Sequence, residues 1–214
     1  MKKNNKKNTK PVKKIAIVGL PNTGKSQVFN FFTGQYNIVA NYPLTTVEIR
    51  KAQCTINGRM YEVIDTPGLH SLYIHSEEEI VVRDFLFTER PDILIQCIDA
   101  NQLKQSLVLT ADLMELGIPM AISLNAMDET ANKGIDINSG MLSQILGVHV
   151  VELFGLQDRG KEKLSQAIEK VGPIKSNFRY SDIIENVISE VESELPEDMY
   201  YRRKTSILYM KTSL

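Results

Sequence analysis

Apolar residues recur along this chain with two different periods. Short unbroken runs, Ile15-Ala16-Ile17-Val18 and residues 92–98, 120–124 and 148–153, are rich in β-branched side chains and read as buried strands. Between them the apolar positions fall at helical spacing. Residues 27–32, 77–87, 139–146 and 161–171 read as helices, and Leu103, Leu107, Leu109, Leu113 and Leu116 mark another that Gly117 and Pro119 close. Residues 47–56 and 60–64 read as strands joined by Asn57-Gly58, the dipeptide favoured in a tight hairpin turn. Residues 35–46, mixed in polarity and broken by Pro43, read as a long surface loop. Repeated β-α alternation with short connections predicts an α/β fold: a mainly parallel sheet with one antiparallel hairpin strand and helices on both faces. A sheet of this kind binds its ligand beyond the carboxyl ends of its strands.

The pattern changes at both ends. Residues 1–13 carry almost no apolar surface, and seven lysines fall among residues 1–14, so this stretch reads as a disordered basic tail. Residues 14–172 form the alternating domain. Residues 173–214 read as a helical appendage that is incomplete. Its first helix, 180–195, has Ile183, Ile184, Val187, Ile188, Val191 and Leu195 on one side and is ended by Pro196; residues 201–214 begin another. An apolar helix face without its full set of partners marks a missing interaction.

Composition narrows the class. With 214 residues and 43% hydrophobic content there is ample core for one domain and an appendage. A net charge of -1 argues against a nucleic-acid binder that relies on a basic surface, so no nucleic-acid partner is expected. Cys54 and Cys97 match no zinc or redox spacing and read as reduced core thiols. No stretch approaches a membrane-spanning length and no signal peptide precedes the first strand, so the segment is expected to be soluble.

The candidate chemistry lies at the strand ends. Gly19-Leu20-Pro21-Asn22-Thr23-Gly24-Lys25-Ser26, followed by Gln27, has the G-x-x-x-x-G-K-[ST] spacing, with a strand entering it and a helix leaving it. That is the phosphate-binding loop of P-loop NTPases: backbone amides and the helix N-terminus receive phosphate, Lys25 adds a charge, and Ser26 offers a hydroxyl to Mg²⁺. Asp65-Thr66-Pro67-Gly68 is a D-x-x-G element, with a carboxylate for a magnesium-bound water and a glycine amide for the γ-phosphate. Asn125-Ala126-Met127-Asp128 is an N-x-x-D element, in which Asp128 can accept both guanine N1 and N2 donors, which adenine does not offer. Phe154-Gly155-Leu156 is placed to meet guanine O6 through a backbone amide. Thr46 is the expected second magnesium hydroxyl, with Thr45 as its competitor. His70, His75, Glu77, Glu78 and Glu79 invite an iron-site reading, but a loop followed by an acidic first helical turn accounts for them better. His149 reads as a packed or edge histidine.

Taken together with Asn41-Tyr42-Pro43, Thr46-Val47-Glu48, Arg83-Asp84-Phe85-Leu86, Asp99-Ala100-Asn101, Leu116-Gly117-Ile118-Pro119 and Lys133-Gly134-Ile135, these motifs resemble the amino-terminal GTPase domain of the ferrous-iron transporter B (FeoB) family. The resemblance runs from about Ile15 to the last residues. It implies a Ras-like G domain and a small helical domain preceding a membrane domain that passes Fe²⁺. It also implies GTP and GDP as ligands, Mg²⁺ as cofactor, the cytoplasmic face of the inner membrane as location, and a transporter membrane domain, in this chain or another, as partner. A homo-oligomer is compatible with the sequence. Leu69 stands where Ras-like proteins carry a water-orienting glutamine, and leucine can neither orient nor deprotonate water. In the resembling family the loop asparagine helps bind K⁺; the matching residue is Asn22, so slow, K⁺-stimulated hydrolysis is expected, with Asn22, Lys25, Thr46 and Gly68 as its catalytic set. Leu20, Tyr42, Leu44 and Phe154-Gly155 depart from the family pattern, the last of these where Ser-Ala is usual. The alternative to a transport-linked GTPase is a stand-alone nucleotide-dependent switch that recruits a protein or RNA.

Overall fold

The computed structural model describes residues 11–34, 38–41, 47–73, 76–154, 160–174 and 179–212. In chain order the strands are β1 (Lys13–Val18), β2 (Ile38–Asn41), β3 (Glu48–Ile56), β4 (Arg59–Asp65), β5 (Ile93–Asp99), β6 (Met120–Asn125) and β7 (His149–Glu152). The helices are α1 (Lys25–Thr33), α2 (Glu77–Glu89), α3 (Leu103–Met114), α4 (Met127–Asn132), α5 (Ser139–Leu146), α6 (Lys161–Lys170), α7 (Asp182–Glu194) and α8 (Arg202–Thr212).

One sheet orders the strands β2-β3-β4-β1-β5-β6-β7. β3 runs antiparallel to both its neighbours and every other pairing is parallel; the β3–β4 hairpin in a mainly parallel sheet is what the hydrophobic pattern predicts. The central strands are buried on both faces, hence their continuous apolar runs. Along β1, Ala16 and Val18 face a core shared with Phe85 and Leu86 of α2 and Leu109 and Leu113 of α3. Ile15 and Ile17 face a second core with Val28 and Phe29 of α1 and Leu164 and Ile168 of α6. Phe85 is fully buried, and truncating such a side chain to alanine costs about 3–5 kcal/mol.

Outside the loop–α1 junction, three elements depart most from the sequence reading. Within the expected loop 35–46, Ile38–Asn41 forms the edge strand β2, its register running from Ile38 opposite Lys51 to Asn41 opposite Glu48. This pairing comes from the tertiary presence of β3, which local composition cannot announce. The strand β1 begins at Lys13, one residue inside the expected tail, because Lys13 pairs with Tyr61 of β4. The short helix α4 follows β6 directly and was not expected.

The appendage docks on the α2–α3 side. Lys204 of α8 is fully buried and bridges Asp112 (2.8 Å) and Glu115 (3.0 Å). Tyr180 donates its hydroxyl to Glu115 (2.8 Å), and the Tyr201 ring meets Phe87 edge-on at 5.2 Å. Within the appendage, Arg203 grips Glu185 with two bonds of 3.0 Å. Ile188 of α7 is buried, whereas Ile183, Ile184 and Val187 stay exposed. Among the described residues no helix is long and apolar enough to cross a membrane.

Candidate functional site

The loop between β1 and α1 is held by its own side chains. Thr23 Oγ1 donates to the Leu20 carbonyl at 2.8 Å, and Lys25 Nζ donates to the same carbonyl (2.8 Å) and to that of Gly19 (3.3 Å). The Lys25 ammonium therefore lies folded against the loop. Burial pushes its pKa below the usual lysine range, opposed by the nearby Cys97, Asp65 and Glu78. Helix α1 starts at Lys25 itself, two residues earlier than its apolar pattern suggests. Gly24 precedes it at φ 88° and brings no capping side chain, which leaves the first amides of the helix for the cleft that Gly24, Lys25 and Ser26 line. A Cβ on Gly24 would stand 2.6 Å from Asn125 Nδ2.

Asn125 ties this loop to β6. Its Nδ2 donates to the Thr23 carbonyl (2.6 Å), while its Oδ1 accepts from Ser123 Oγ (2.8 Å). The carboxamide is thus engaged at both ends within the protein, a strut beneath the ligand site. Leu20 and Met127, both in the expected contact set, turn their side chains into the core, which leaves only their backbones for a ligand.

The D-x-x-G element is placed by β4 beside β1. Thr66 donates both its N–H (3.2 Å) and its hydroxyl (2.9 Å) to the Ile17 carbonyl, so its side chain locks the strand ends and is 3% exposed. Gly68 lies against Pro21, where a Cβ would meet the ring at 2.5 Å. Leu69 is fully buried and its N–H donates to the Gly19 carbonyl at 3.0 Å. Its side chain belongs to the core, a physical reason why a leucine is accommodated there.

Ser26 Oγ donates to Asp65 Oδ2 at 2.9 Å, and Asp65 Oδ1 is buried without a hydrogen-bond partner among the described residues. Burial pushes the Asp65 carboxyl above its ordinary range, opposed by the Ser26 hydrogen bond and by Lys25 and Arg50. An orphaned carboxylate oxygen beside a hydroxyl is a hard, all-oxygen donor pair that fits Mg²⁺. This pair opens into a cleft of about 720 Å³ walled by the loop, Asp65–Gly68, Glu48, Glu78 and one residue the sequence reading did not single out, Arg50. Alternation along β3 could have put Arg50 on the face of Asp65, but only once the strand register was known.

A second cavity, about 230 Å³, shares Asn22, Thr23, Gly24 and Gln27 with the first and continues to Asp99, Ala126, Asp128 and Glu129. Asp128 lies in the first turn of α4, set there by Ala126 in a left-handed conformation (φ 58°). Asn22 also takes a left-handed conformation (φ 61°) and is exposed where the two cavities meet. Phe154 lies two residues beyond the end of β7. Thr45, Thr46, Gly155, Leu156 and His75 lie outside the described residues. Ser76 caps α2 by accepting from the Glu79 N–H (3.3 Å), and the buried Glu79 accepts from the His70 N–H (3.2 Å). These residues make a helix entry, as expected. His149 is exposed on the edge strand β7.

The family described as Ferrous iron transport protein B matches residues 13–168. The Fe(2+) transport protein A/Fe(2+) transporter FeoB fusion protein of Porphyromonas gingivalis is 33% identical over 85% of this chain and 22% of its own length. A mutant NFeoB of S. thermophilus bound to GDP superposes with TM-score 0.84 at 33% identity, covering 94% of this chain and 80% of that one. The cytosolic domain of the T. maritima FeoB iron transporter in its GMPPNP form gives 0.83 at 30% identity, covering 94% and 82%. The chain spans between 15% and 26% of the lengths of the curated relatives it matches.

Proposed function

Because the chain belongs to the ferrous iron transport protein B family, a nucleotide-binding domain with the P-loop NTPase fold, we propose that it binds and hydrolyses GTP and that this turnover drives or gates Fe²⁺ passage through a membrane partner. Residues 14–172 would be the G domain and 173–214 the helical appendage, at the cytoplasmic face of the membrane that holds the partner. The observation that carries the reading is the Ser26–Asp65 pair, with its orphaned oxygen, at the head of a cleft walled by the loop amides.

Each residue has a task that follows from its position. The Lys25 ammonium leaves the Gly19 and Leu20 carbonyls for phosphate oxygens, exchanging neutral acceptors for charged ones. The uncapped amides of α1 receive the same phosphates. Ser26 and Asp65, with Thr46, would hold Mg²⁺, which when bound neutralises phosphate charge as water attacks. The Gly68 amide faces the terminal phosphate, and its missing Cβ lets the D-x-x-G element sit against Pro21. Asp128 selects guanine, and Gly155 and Leu156 would close on the base.

No glutamine replaces Leu69, so the attacking water is oriented by backbone and by charge. Asn22, exposed at the junction of the two cavities, offers a neutral amide oxygen that suits K⁺, and we assign K⁺ stimulation to it. Calorimetric titration of the wild type and of Asp128→Asn with GDP, GTP and ATP in the presence of Mg²⁺ tests the reading. GDP and GTP bind the wild type and ATP does not; tight ATP binding overturns the base assignment.

A further inference from the structure

We propose that Arg50 is a γ-phosphate-binding residue that makes this site prefer the triphosphate over the diphosphate. The inference deepens the nucleotide reading above and rests on it.

Arg50 stands directly opposite Asp65 in the antiparallel β3–β4 ladder, so both side chains project from the same face of the sheet. Residues so paired have Cβ atoms about 4.5–5.5 Å apart. Their shared face is the one covered by α1: Ala52 and Cys54 further along β3, and Tyr61 and Val63 along β4, all join the core containing Val28 and Phe29. At the end of the sheet this face runs out from under the helix. Arg50 and Asp65 are there the first residues to line the cleft instead.

Sheet order fixes which end of a nucleotide Arg50 meets. The base cavity is formed by residues at the ends of β5 and β6, Asp99, Asn125 and Asp128. The phosphate loop leaves β1, Asp65 ends β4, and Arg50 lies on β3, one strand further in the same direction. A nucleotide with its base at β6 and its phosphates along the loop therefore extends its last phosphate toward β4 and β3. A diphosphate stops at the loop; a third phosphate carries its additional charge into the part of the cleft that Arg50 borders.

Arg50 is suited to that contact. Among the described residues lining the cleft it is, besides Lys25, the other cationic side chain, and it is exposed. No hydrogen bond or ion pair to another described residue holds it, although its charge acts on Asp65. A guanidinium presents a planar set of donors that matches two phosphate oxygens at once, which the single point charge of lysine does not.

The test measures affinities for N-methylanthraniloyl-labelled GDP and GMPPNP, both with Mg²⁺, in wild type, Arg50→Gln and Arg50→Lys. Arg50→Gln weakens GMPPNP roughly tenfold or more, the size expected for losing a charge-assisted hydrogen bond, and leaves GDP unchanged. Arg50→Lys recovers part of the loss. GDP affinity is the internal control for folding. Equal weakening of both nucleotides, or no change in either, overturns the role of Arg50 while the nucleotide reading stands. A wild type that binds neither nucleotide overturns that reading and this inference with it.

Discussion

Lys204 Nζ lies 2.8 Å from Asp112 Oδ1, and the other oxygen of the same carboxylate accepts the N–H of Leu72 at 3.2 Å. One α3 side chain thus holds both the appendage helix α8 and the stretch that follows the D-x-x-G element. Burial alone would lower the Lys204 pKa, but Asp112 and Glu115 outweigh it and hold the ammonium above the usual lysine range. Its stabilising contribution is complete below the ordinary lysine value and is lost as pH rises through the raised one. Replacing Lys204 by methionine leaves two carboxylates without their cation, at a cost of about 3–5 kcal/mol. Urea unfolding measures that loss. Faster hydrogen exchange of the Leu72 amide in the variant shows that it reaches the D-x-x-G side.

Asp65→Asn separates stability from ligand binding. The folded carboxyl has a raised pKa, so its contribution is full below the ordinary aspartate range and falls as pH rises through the raised value. Near neutral pH the ionised group is a cost that asparagine removes. Without Mg²⁺ and nucleotide the variant melts at or above the wild-type temperature; with Mg²⁺ and GDP it lacks the wild type's ligand stabilisation, about 2.7 kcal/mol at a hundredfold excess over Kd. A ligand-free variant that melts well below wild type would contradict this account.

Asn22→Ala tests the K⁺ assignment. GTP turnover by the wild type is faster in K⁺ than in Na⁺, and the variant loses roughly tenfold or more in K⁺ while its rate in Na⁺ hardly changes. Equal rates for both proteins in both salts would remove Asn22 from the mechanism.

Asn125→Ala removes the strut between β6 and Thr23. The loop then loses one short hydrogen bond to its backbone, and GDP binds roughly tenfold more weakly. The change should appear in the dissociation rate, read by stopped-flow release of labelled GDP. Unchanged release would mean that the loop holds its shape without Asn125.

Much of this was legible in the sequence because the signals were local. An apolar run buried on both faces, as in β1 and β5, leaves an unmistakable pattern, and loop spacing of the type Gly19 to Ser26 records a backbone path. What escaped depends on register or on distant partners. β2 exists because β3 lies beside it. Arg50 enters the cleft because it pairs with Asp65, and Asn125 serves the loop because β6 ends level with Thr23. The Lys204 bridge joins residues 92 positions apart in the chain, and nothing near Lys204 in sequence foretells a buried cation.

The buried Leu69 has a mechanical consequence. Its side chain is fixed in the core and its amide is tied to the Gly19 carbonyl, so the chain just beyond Gly68 is hung from a hinge pin that also belongs to the phosphate loop. Asp112, gripping Leu72, is the latch three residues on. A displacement of the Gly68 backbone would then have little slack before it pulled on α3. Through Lys204, the appendage would feel it as a tug on a short cord.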